Sequence, residues 1–116
     1  EKCKIHLFSN ILDMDVFSMN HLIKVIESTF YGINYFFCIS PYITDDRACR
    51  IMNFANHFKQ NYSSFELLSS YINSRRDNNY WLCNNNYNGR MCPDHPYQCE
   101  GMNKWTRIIQ IFKVSI

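Results

Sequence analysis

Glycine is scarce in this sequence, with three in 116 residues, Gly32, Gly89 and Gly101, no two of them close together. That scarcity excludes the glycine-rich turn that lets backbone amides cradle a phosphate or a dinucleotide. Charge is thin as well. Charged residues make up 19% of the chain and the net charge is +2. Apart from Arg75 and Arg76, the basic residues are scattered, so charge gives no support to nucleic-acid binding. No apolar run approaches the roughly 18 residues of a membrane span, and no membrane partner is expected. The opening Glu1-Lys2-Cys3-Lys4-Ile5 resembles neither a signal peptide nor a translation start. The expectation is a chain that was processed, or one cut from something longer.

What is abundant is apolar and aromatic. Hydrophobic residues make up 47% and aromatics 16%, the composition of a packed globule. The length fits one domain, residues 1–116, with one core. Six cysteines would suit a disulfide scaffold in a shorter chain. Cys38, however, lies within the apolar run Tyr35-Phe36-Phe37-Cys38-Ile39, where cysteine behaves as a small buried hydrophobe. A core of this size needs no bridges, which favours a reducing, cytoplasmic setting.

Periodicity orders the chain. Lys4 to Phe8 has the apolar content of a buried strand, and a polar turn follows. Ser18 is a plausible N-cap for a helix whose Leu22, Ile26 and Phe30 fall at i, i+4 and i+8, with Gly32 as its stop. Asn34 to Ser40 reads as a second buried strand ended by Pro41, of the kind that has helices on both faces. Thr44 caps a second helix, Asp45 and Asp46 suit its positive end, and Ala48, Ile51, Met52, Ala55 and Phe58 form its apolar face. Ser63-Ser64-Phe65-Glu66 has capping-box spacing and predicts a third, shorter helix continuing through Leu67, Leu68, Tyr71 and Ile72. Tyr80 to Cys83 reads as a brief strand. Trp105 to Ile116 is apolar on both parities, as an internal strand is. The expected fold is α/β with three layers: a small, mostly parallel sheet, helices packed on it, and a C-terminal antiparallel hairpin.

This order of elements resembles the second half of a class I, Rossmann-like methyltransferase. Ile5-His6-Leu7-Phe8-Ser9-Asn10-Ile11-Leu12-Asp13 is similar to the fourth strand and exit loop of such proteins. Tyr35 to Ser40 would then be the fifth strand and Arg107 to Ile116 the seventh. The resemblance implies that Ser9, Asn10 and Asp13 lie at the carboxyl ends of the strands, where open α/β sheets bind ligands. Ser9 and Asn10 would contact substrate, and Asn10 and Asp13 would be the catalytic pair. Asn10 would hydrogen-bond a substrate group, while Asp13 would accept or orient a proton. The alternative is that Asn10 and Asp13 turn and cap the chain. The family's S-adenosylmethionine site rests on a glycine turn and an acid-ended strand, both of which would lie upstream of Glu1. The chain alone is therefore expected to hold no S-adenosylmethionine and to be inactive.

Residues 84–104 form a Cys/His-rich stretch without periodicity. Cys83, Cys92, His95 and Cys99 supply thiolate and imidazole, the ligands zinc prefers. Cys92 and His95 have the spacing of a knuckle, whereas Cys83 stands farther off. An irregular loop of about twenty residues is unusual in a compact domain, and a metal would order it. Free thiols, or one disulfide such as Cys92 with Cys99, are the other readings. The remaining His6, His21 and His57 read as structural or solvated. Two functions follow. One is the C-terminal part of a methyltransferase-like domain, or a degenerate scaffold derived from it. The other is a self-contained protein-interaction module, zinc-stabilised, from a mobile element or phage. Strand edges exposed by a missing N-terminal half would promote a homodimer.

Overall fold

The computed structural model describes residues 2–72, 81–82, 104–105 and 107–116. The chain runs β1 (Lys4–Ser9), α1 (Met19–Thr29), β2 (Ile33–Pro41), α2 (Asp45–Asn61), β3 (Glu66–Ile72), β4 (Trp81–Leu82), β5 (Lys104–Trp105) and β6 (Arg107–Ser115). It is an α/β protein. None of its helices is long and apolar enough to cross a membrane, among the described residues.

Both helices start as the sequence indicates. Ser18 is extended and its Oγ accepts from the His21 N–H at 3.2 Å. Thr44 Oγ1 accepts from the Arg47 N–H at 3.2 Å, with Asp45 and Asp46 in the first turn. Helix α1 ends where Phe30 donates to the Ile26 carbonyl at 2.8 Å. Gly32 follows at φ 93°, a conformation costly for any residue with a Cβ. Its N–H donates to the Ile116 carbonyl at 2.7 Å and its own carbonyl accepts from Ile116, so it also ties the start of β2 to the end of β6.

Four strands form one sheet in the order β1-β2-β6-β3. β1 runs parallel to β2, whereas β6 runs antiparallel to both β2 and β3. The sheet is therefore mixed, and the mostly parallel arrangement expected from the sequence is corrected. A single apolar segment, Arg107–Ser115, occupies an internal position and reverses the strand direction there. β6 is internal, as its apolar content on both parities required. The expected terminal hairpin of residues 80–83 with residues 105–116 is corrected as well: β4 pairs with the short β5, Trp81 opposite Trp105 and Leu82 opposite Lys104, whereas Arg107–Ser115 lies between β2 and β3.

A further correction concerns the third helix. Glu66–Ile72 is a strand. Ser64, next to the Ser63 that the capping-box spacing places at the helix start, is committed to β6 instead: its Oγ accepts from the Ser115 N–H at 2.9 Å and donates to the Ser115 carbonyl at 3.1 Å. The segment then has the open edge of β6 beside it. A bulge between Leu67 and Ser69 absorbs one residue, bringing Ser70 opposite Gln110 and Ile72 opposite Ile108. Ladder hydrogen bonds along a nine-residue partner outweigh a local helical pattern only seven residues long.

The core lies on one face of the sheet. Phe36, Cys38, Ile108, Phe112 and Val114 from the strands meet Ile23 and Ile26 of α1 and Ala48, Ile51, Phe54, Ala55 and Phe58 of α2. Phe36 is the centre of an aromatic stack, its ring 5.1 Å from Phe112, 5.4 Å from Phe58 and 5.8 Å from Phe54. Each buried phenylalanine contributes roughly 2–3 kcal/mol by area. Both helices pack on this face, giving two layers among the described residues. The other face carries Ile5 and Leu7 of β1, Tyr35, Phe37 and Ile39 of β2, and Ile109 and Ile111 of β6, placed there by the strand registers. β1, read from sequence as buried, is an edge strand, and Ile5 and Leu7 are 72% and 66% exposed.

Candidate functional site

The parallel strands β1 and β2 deliver their carboxyl ends side by side. The Asn10 N–H donates to the Ile39 carbonyl at 2.8 Å, so the ladder continues one step past Ser9. Asn10 then adopts φ 57°, a left-handed conformation that asparagine tolerates better than most residues. This kink turns the chain off the sheet. Ser9 and Asn10 remain exposed, while Leu12 and Asp13, each 1% exposed, fold back beneath the loop.

Two arginines one helical turn apart on α2 hold this exit loop. Arg47 reaches Asp13 with Nη2 2.8 Å from Oδ2. Arg50 donates through Nε to the Leu12 carbonyl at 3.3 Å and through Nη2 to the Phe17 carbonyl at 3.1 Å. Its Nη1 lies 3.3 Å from Asp15 Oδ1, and its guanidinium sits 5.3 Å from the centre of the Phe17 ring. A carboxylate buried as deeply as Asp13 is costly without a cation, and Arg47 supplies it. Ser40, at the end of β2, is 1% exposed, and its Oγ has no hydrogen-bond partner among the described residues; nor does Arg47 Nε.

Of the residues singled out in the sequence, Ser9, Asn10 and Asp13 come together at one sheet end, with the first two facing solvent and the third turned inward. Arg47, Arg50 and Ser40 belong to the same place and were not singled out. The signal for the arginines was their i, i+3 spacing on a helix that follows an acidic exit loop. Ser40 gave none beyond its place before Pro41. Cys83, Cys92, His95 and Cys99 lie outside the described residues. Among the described residues, no group of three metal-ligating side chains comes together.

A second polar cluster lies across α1 and α2. His57 Nε2 is 2.5 Å from Glu27 Oε1, and Tyr62 donates its hydroxyl to the same oxygen at 3.2 Å. Burial, and then the hydrogen bond and charge of Glu27, hold the Tyr62 hydroxyl above its ordinary pKa. His57 also edges a groove of 350 Å³ between the helices, lined by Asn20, Arg50, Asn53, Asn56 and Gln60 among others. His6, in contrast, is structural. Its ring stacks 4.3 Å from Phe30 and its Nε2 lies 2.9 Å from Asn34 Oδ1. Cys38 is fully buried and its thiol is pushed up to about 12 by that burial, which removes it as a nucleophile.

Comparison of the chain with family models, with curated proteins and with solved structures finds no match.

Proposed function

We propose that this chain is the C-terminal part of a methyltransferase-like domain, catalytically silent alone, which lends substrate contacts from Ser9 and Asn10 or persists as a degenerate scaffold. The observation that supports this reading is the strand order. Two parallel strands joined through a helix are followed by a closing strand that runs against them, and that strand lies beside β2. This is the arrangement implied by the resemblance of Ile5 to Asp13 and of Arg107 to Ile116 to the fourth and seventh strands. β1 forms the rim of the sheet, where a further parallel strand would extend it.

The described residues do not by themselves fit S-adenosylmethionine. Gly32, the one glycine among them, stands at the amino end of β2, is bonded to Ile116, and is remote in register from Asn10 and Ser40. What these residues do is local. Asn10 presents an exposed amide at the strand ends, and Arg47 and Arg50 hold the loop that carries it.

The test is to express the chain together with the coding sequence that precedes the Glu1 codon, and to titrate both forms with S-adenosylmethionine by calorimetry. Binding by the extended form and none by the chain alone is the expected result. Binding by neither form, or a start codon directly ahead of Glu1, overturns the reading.

A further inference from the structure

We draw no further inference here: the strongest candidate, the outward apolar face of the sheet carrying Tyr35, Phe37, Ile39, Ile109 and Ile111, carries nothing because nothing in the structure shows what covers it.

Discussion

At the scale of single residues, the structure turns on polar groups taken out of water. Asp13 depends on Arg47, and removing the arginine leaves a carboxylate with no cation beneath the exit loop. Arg47→Met is expected to cost about 2–3 kcal/mol in urea unfolding, less than for a wholly buried pair because Arg47 is 36% exposed. Adding Asp13→Leu to that variant is expected to restore most of the loss, since an apolar pair of similar volume carries no desolvation penalty. Cys38 produces a dependence on pH. Its thiol is raised in the folded state to about 12 and lies at 9.0 in the unfolded chain. The stability associated with its neutral form is complete below pH 9 and declines as pH rises toward 12, by up to roughly 4 kcal/mol. Tyr62, also raised, acts in the same direction at still higher pH than its ordinary value. Denaturant unfolding of Cys38→Ala and of the unaltered chain from pH 8 upward separates the cysteine contribution, because the variant should lose the earlier part of the decline.

At the scale of elements, local chemistry placed the helices and failed on one strand. Ser18 and Thr44 cap α1 and α2 as their spacing indicated. Thr44→Ala is accordingly expected to lower stability by about 1 kcal/mol, read as a fall in thermal midpoint. Glu66–Ile72 was misread because its apolar residues satisfy a helical spacing while its partner, β6, is far away in sequence. Pairing with a remote strand leaves no trace in a short window. The candidate site divides in the same manner. Ser9, Asn10 and Asp13 were visible because they follow a strand in an unbroken run. Arg47 and Arg50 were not, since only the packing of α2 against the loop brings them to Leu12, Asp13 and Phe17. The outward apolar parity of β2 and β6 was legible as double-sided hydrophobicity. What it could not disclose was that both helices would settle on the same side.

At the scale of the whole molecule, the position of β6 decides the most. It contacts two strands that otherwise share no ladder, and it supplies Ile108, Phe112 and Val114 to the core. Removing residues 107–116 is expected to abolish cooperative unfolding altogether, measured as loss of the near-ultraviolet aromatic signal, whereas a short cut of residues 2–4 should be mild. The pairings of Ile33 with Ser115 and Pro41 with Arg107 also set the order in which the protein can form. In synthesis β1, α1, β2 and α2 precede β6, and β2 must wait with one edge bare until Arg107–Ser115 has been made. Contacts so distant in sequence make for slow folding. During that wait Phe36, Phe54 and Phe58 have only part of their final company. A stop codon or translational stall shortly before Arg107 would leave β2 and β3 without the strand that joins them, a species for chaperones and proteases rather than a shortened version of the protein.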